Sequence, residues 1–177
     1  MAASIPKYAL LENERRFLVL EPPDMTGARV RLIEDLYLDA GRLRLRRVTH
    51  FDGVPPEHKL CKKYGLGDPV SGPIVNIYLT AEEHAALAAL PGRPLRKRRY
   101  TILHAGRAFS LDVFEGALAG LAICEAEAPT AEAIRAVRFP PWAAREVTAD
   151  PFFCGGELSR VTADELAARL GAERAAS

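Results

Sequence analysis

Three cysteines in 177 residues (Cys61, Cys124 and Cys154) are odd in number and far apart, so they form neither a disulfide framework nor a Cys-x-x-Cys metal site. That usage predicts a reduced, cytoplasmic compartment. No apolar run approaches the roughly 20 residues of a membrane-spanning helix. The first residues lack a signal-peptide core, so no leader and no membrane partner are expected. Neither charge sign dominates: 24 Lys and Arg stand against 23 Asp and Glu, which leaves no global field to draw in nucleic acid. His50, His58, His84 and His104 show no metal-ligand spacing, and no glycine-rich phosphate loop is present. Repeats and low-complexity linkers are absent too, and the length suits one domain over residues 1–177.

What is present is an apolar fraction of 49%, enough for a real core, and a series of alternating segments. Residues 9–20, 29–38, 41–51, 58–65, 74–79, 94–105, 107–116 and 120–129 read as strands. The second and third pair across a turn at Asp39-Ala40-Gly41, the sixth and seventh across Ala105-Gly106, and residues 67–73 read as a loop. Thr80 with Glu83 is a capping box opening a helix that Pro91-Gly92 stops. A short helix is expected over 130–137, and a second capping box, Thr162 with Glu165, opens one over about 162–174. Eight strands, mostly in hairpins, with a few helices predict an α+β protein built on an antiparallel sheet or barrel.

The strands carry charge on alternate positions, and side chains two apart point the same way. Glu12, Glu14 and Arg16 share one face of the first strand; Arg42, Arg44 and Arg46 share one face of the third. Lys97 and Arg99 repeat the pattern, as do Glu125 and Glu127, while Asp112 sits in an otherwise apolar strand. Arg96 and Arg98 face away from Lys97 and Arg99, which splits the basic run 96–99 and argues against a nucleic-acid patch. Any one such face is ordinarily solvated. Repetition in nearly every strand admits two architectures: a sheet with one polar side, or a closed barrel with a charged lumen. In the barrel, Glu12, Glu14, Asp112, Glu125 and Glu127 would repel one another without a cation, and hard oxygen donors select Mg²⁺ or Mn²⁺. Arg42, Arg44, Arg46, Lys62, Lys97 and Arg99 would need a polyanion, and arginine forks match phosphate oxygens.

At these residues the sequence resembles the CYTH, or triphosphate tunnel metalloenzyme, family. The opening Glu-x-Glu-x-Lys signature stands here as "ENERR" (12–16). The likeness continues through "YLDAGRLRLRR", "LRKRRY", "LDVFEGALAGLAICEAEAP" and "PPWAAREVTADPFF", over about residues 9–160. The segment 111–127 together with "EVTAD" (146–150) is the specific part. The resemblance implies an eight-stranded antiparallel β-barrel, or tunnel, with flanking helices and a C-terminal helix near one mouth. It implies Mg²⁺- or Mn²⁺-dependent hydrolysis of a triphosphate. Glu12, Glu14, Asp112, Glu125 and Glu127 match the metal-side acids, and Arg44, Arg46, Lys62, Lys97 and Arg99 the phosphate-binding bases. Lys62 is preferred over Lys63 because it shares parity with Leu60.

The chain departs from the family pattern twice. Arg16 replaces the signature lysine, and arginine does not release its proton. The strand that usually carries Arg-x-Glu-x-Glu reads "IVNIYL", with Asn76 and Tyr78 as its polar residues. The expected enzyme holds a metal mainly on Glu12, Glu14 and Glu127, places water with Asp112 and Glu125, and stabilises the transferring phosphoryl group with Arg16. Glu14, Arg16 and Glu125 are thus its expected catalytic residues. The competing expectation is a module that grips polyphosphate or a nucleotide without cutting it. The sequence leaves the choice of triphosphate open, and the oligomeric state with it, a homodimer included.

Overall fold

The computed structural model describes residues 5–39, 41–65 and 67–176. Alternating polar and apolar residues produce the strands β1 (Leu10–Val19), β2 (Arg29–Leu38), β3 (Leu43–His50), β4 (Glu57–Lys63) and β5 (Ser71–Leu79). After the helix α1 (Ala81–Ala88) come β6 (Gly92–His104), β7 (Arg107–Phe114) and β8 (Ala122–Glu127). These eight strands run antiparallel in the order β5-β4-β3-β2-β6-β7-β8-β1, and β1 returns to β5. The expected barrel closes, and the alternative of a sheet with one polar side is excluded.

Closure depends on β1 having two jobs. Its residues 14–19 pair with β8 along one edge, while 10–13 pair with 71–74 of β5 along the other. The rest of that second edge, at Phe17 and Leu18, is covered by the two-residue strand β9 (Arg145–Glu146). Arg15 fastens β9 from outside, donating to both Glu146 oxygens at 2.9 and 2.6 Å and to the Val137 carbonyl at 2.6 Å. β5 starts at Ser71, inside the expected 67–73 loop, because the chain there leaves β4 and joins β1. Pro73 sits at that change of partner, where a missing N–H is tolerated.

The β6–β7 hairpin turns at Ala105-Gly106, with φ of 49° and 75°. A two-residue turn with both φ positive matches the strand twist. Ala40, in the expected β2–β3 turn, lies outside the described residues. α1 is set off by the Thr80–Glu83 capping box and buries none of its residues.

Two apolar clusters hold the barrel. One covers the outer face of β1, β7 and β8: Phe17, Val19, Phe109, Leu111 and Cys124 pack against Ile134 of the short helix α2 (Ala131–Arg135) and against Val137. Trp142 joins it, edge-on to Phe109. Each such side chain removed from water contributes about 1.5–3 kcal/mol.

The second cluster plugs one end of the lumen. Leu18, Ile123, Phe114 and Leu95 continue the inward-facing rows of Arg16, Glu125, Asp112 and Lys97. Against them pack Val147, Phe153, Leu158 of α3 (Gly155–Leu158), and Leu166 and Leu170 of α4 (Ala163–Ala175). α4 begins at the expected Thr162–Glu165 box, and Arg145 and Arg169 both pair with Asp150 and Glu173 to fix it. No helix is long and apolar enough to cross a membrane among the described residues.

Candidate active site

The lumen is a cavity of about 790 Å³. β1 and β8 supply one wall: Glu12, Glu14 and Arg16 beside Glu125 and Glu127, with Glu14 directly opposite Glu127 and Arg16 opposite Glu125. β3 and β6 supply the other with Arg44, Arg46, Lys97 and Arg99. The period-2 parity of each strand therefore points these nine side chains into one space.

Lys62 is a correction. It points outward with its ammonium 5.0 Å from the Tyr64 ring, and Lys63 enters the lumen instead. The Lys63 ammonium bridges the acidic wall, contacting Glu12 and lying 3.0 Å from Glu14. The expectation took parity with apolar Leu60 as the inward mark. In a barrel with a charged interior that mark reverses: Lys59, Cys61 and Lys63 face in, and Leu60 faces out. The Lys63 side chain keeps 46% of its surface accessible while the wall surrounds it. Crowding disfavours its charge, but Glu14 and Glu12 outweigh this and raise its pKa.

Asp112 also differs from its expected place. It is fully buried, with both oxygens engaged: Arg99 donates to them at 2.6 and 2.7 Å, and Lys97 contacts Oδ2. It stands in the inward-facing row of β7 as an anchor for Lys97 and Arg99, with three donors on its two oxygens, and is not among the residues that line the cavity.

Asp35, which the sequence reading did not single out, does the same for β3. It accepts from Arg46 at 2.6 and 2.7 Å and lies 3.7 Å from Arg44. Burial pushes its carboxyl up, yet Arg46 and Arg44 overcome that and hold it at about 2. Its signal was available: a lone acid on the face of β2 shared with Ile33 and Tyr37, the same pattern that marked Asp112.

Arg16 is held in place by the segment that follows β9. Its terminal nitrogens donate to the Phe153 and Thr148 carbonyls at 2.8 Å each, and one approaches Cys154 Sγ at 3.4 Å. Arg42 lies at the rim and donates to the Tyr64 carbonyl at 2.8 Å. On β5, Asn76 lines the lumen, whereas Tyr78 is exposed beneath Lys59.

The electrostatics differ sharply along β8. Burial alone would raise the Glu125 carboxyl, but Arg99, Lys97, Lys63 and Arg16 pull it far below the usual carboxylate range. Glu127 moves up, from burial first and then from the charge of Glu125, with Glu12 and Glu14 adding to it. Like charges directly opposite on paired strands are destabilising. The Glu14–Glu127 end of the lumen is thus short of positive charge, and Lys63 supplies only one unit of it. Among the described residues no three acidic, histidine or cysteine side chains already stand at metal-ligating distances. The donor set nevertheless fits a hard divalent ion: all oxygen, clustered, and destabilised by its own charge.

A second recess, about 680 Å³, lies outside the barrel between β4 and α1. It holds Arg47 and the His58–His84 ring pair at 4.7 Å, with no carboxylate in its lining. It lacks the opposed walls of the lumen.

No protein-family model matches the sequence, and no curated protein matches it significantly. Solved structures do. The crystal structure of the inorganic triphosphatase NE1496 is 28% identical with a TM-score of 0.56, over 85% of this chain and 95% of that one. Another crystal structure, of the hypothetical protein NE1496, is 28% identical with a TM-score of 0.58, over 85% of this chain and 99% of that one. The chain has a CYTH-like fold. The PH1819 protein from Pyrococcus horikoshii OT3 shares that fold at 16% identity and a TM-score of 0.50, over 70% of this chain and 82% of that one. In this CYTH-like barrel the acidic and basic walls face each other across the lumen, and the apolar plug seals the end beyond Arg16.

Proposed function

We propose that the barrel hydrolyses a triphosphate with Mg²⁺ or Mn²⁺ bound to its acidic wall. The observation that carries this reading is Lys63: a cation wedged between Glu12 and Glu14, opposite a wall of Arg44, Arg46, Lys97 and Arg99. The similarity to an inorganic triphosphatase supports it.

Glu12, Glu14 and Glu127 would hold the metal, with Glu125 beside them. When bound, the ion would neutralise charge on the phosphate oxygens and relieve the repulsion between Glu14 and Glu127. Arg44, Arg46, Lys97 and Arg99 grip the phosphates, and Asp35 and Asp112 fix the angles of those bases before substrate arrives, so little ordering remains at binding. Lys63 exchanges its carboxylate partners for phosphate. Glu125 is pinned through Oε2 by Arg99, which leaves Oε1 to orient the attacking water. Arg16 contributes a fixed positive charge next to Glu125 and ties the 148–154 segment to the plug end.

Phosphate release from tripolyphosphate, measured with Mg²⁺, Mn²⁺ and chelator, tests this. Glu14→Gln should lose metal-dependent release by at least about a hundredfold, and release at the parent rate would rule the mechanism out.

One observation favours a second reading. The inward positions of β5 carry Gly72, Ile74 and Asn76, with no carboxylate. A barrel short of acids would bind the phosphate chain without cutting it. Calorimetric binding of tripolyphosphate with no release under either metal would select that reading.

A further inference from the structure

The recess between β4 and α1 lies outside the barrel and takes no part in the lumen chemistry. Its volume of about 680 Å³ falls within the range of small-molecule pockets, and five of its nine lining residues are proline, leucine or alanine. A mostly apolar hollow with a few convergent polar groups is the usual form of a ligand site.

The polar groups here share one sign. Arg47 and His58 stand directly opposite each other on β3 and β4, and the His84 ring of α1 lies 4.7 Å from that of His58. No carboxylate lines the recess. Glu34 reaches Arg47 only at 4.0 Å, and from its other side, where the β2–β3 register places it. Burial lowers the pKa of His84, and the charges of His58 and Arg47 lower it further, with Glu34 opposing them. Added positive charge is therefore disfavoured, which argues against a metal ion at the two imidazoles. An anion would be favoured by all three groups.

The apolar part decides which anion. Pro55, Pro56 and Leu79 offer no side-chain donor to the several oxygens of a phosphate. A single guanidinium fork, by contrast, meets both oxygens of a carboxylate. α1 borders this space without filling it: none of its residues is buried, and eight residues make a marginal helix on their own. An occupant of the recess would give the helix something to pack against.

We infer that the recess binds a small organic carboxylate with an apolar body, its charge held by Arg47 with His58 and His84 and its body lying on Pro55, Pro56 and Leu79. The site is separate from the lumen and holds whether or not a triphosphate is cut there.

Nuclear magnetic resonance titration of the isotope-labelled full chain tests this, with benzoate and octanoate as probes and benzamide and inorganic phosphate as controls. Both carboxylates should shift the amides around Arg47, His58 and the first turn of α1, and should slow amide exchange in α1. Arg47→Gln should weaken them roughly tenfold, the worth of one charge-assisted hydrogen bond, and Arg47→Lys should fall between. The Arg47 side chain is 48% exposed, so these variants should fold. The imidazoles titrate in the field of Arg47 from β3, Glu34 from β2 and Glu82 from α1. Protonation adds charge that an anion welcomes, so affinity should rise as pH falls from about 8 to about 6, and His84→Gln should flatten that rise.

Benzamide bound as tightly as benzoate would overturn the charge recognition. Phosphate bound there as tightly as benzoate would overturn the choice of a carboxylate. Shifts confined to lumen residues, unchanged affinity in Arg47→Gln, or no response to either carboxylate would overturn the site.

Discussion

Asp35 is the residue on which the basic wall depends. Asp35→Asn leaves Arg44 and Arg46 facing each other without a counter-charge, and breaking a buried ion pair in this way costs about 3–5 kcal/mol. The expected result is a lowered melting temperature that tripolyphosphate restores, because phosphate replaces the lost anion; an equal drop with and without ligand would show that Asp35 has no part in preparing the site. The same carboxyl predicts a pH dependence. Its folded value of about 2 lies below the ordinary 3.8, so its contribution is complete above about pH 4 and is lost as pH falls toward 2. That loss amounts to about 2 kcal/mol. Acid unfolding of Asp35→Asn, followed by circular dichroism, should lack this component between pH 4 and 2.

At the scale of elements, the segment from Thr148 to α3 is pressed against β2 with no room to spare. A Cβ added at Gly155 would lie 2.0 Å from the Tyr37 hydroxyl and 3.0 Å from its Cζ. Tyr37 packs against the plug cluster on its other side. Gly155→Ala should therefore destabilise by about 1–3 kcal/mol, the usual cost of overpacking. Tyr37→Phe, which deletes the nearest atom, should recover part of that loss in the double variant; chemical denaturation of the four proteins measures the coupling. The plug itself is anchored by α4, and Leu166→Ala should cost about 2–5 kcal/mol by leaving a cavity at the sealed end.

For the molecule as a whole, the barrel has one weak seam. Residues 10–13 pair with 71–74 there in four register pairs that include the exposed Leu10 and Leu11; β7 and β8 also share four, but among the buried Leu111, Asp112, Ile123 and Cys124, and β2 and β6 share ten. One of the seam's four includes Pro73, which has no N–H to give. Local opening starts where paired backbone is scarce and solvent is near. Amide exchange should therefore be fastest, among strand residues, at 10–13 and in β5, and slowest in β6 and β7. Bound tripolyphosphate should protect the seam, since Lys63 of β4 and Glu12 of β1 meet across it in the lumen. Uniform protection around the barrel would contradict this picture.

The strands and their parity were legible in the chain, because a two-residue period directly encodes which side chains share a face. That is why Glu12, Glu14, Arg44, Arg46, Lys97, Arg99, Glu125 and Glu127 appear together in both the sequence and the lumen. The capping boxes at Thr80 and Thr162 were legible for a similar reason: they act within four residues. Parity does not say which face is inside, and β4 shows the cost. With Leu60 taken as the inward mark, Lys62 was chosen; closure around a charged interior turned the strand over and delivered Lys63. Nor does parity say which charges will be matched. Asp35 and Asp112 became anchors through the register of their own hairpins, β2–β3 and β6–β7, which sets Asp35 opposite Arg46 and Asp112 opposite Arg99. Local periodicity fixes the content of each wall, whereas the pairing of β1 with both β8 and β5 decides that the walls face one another.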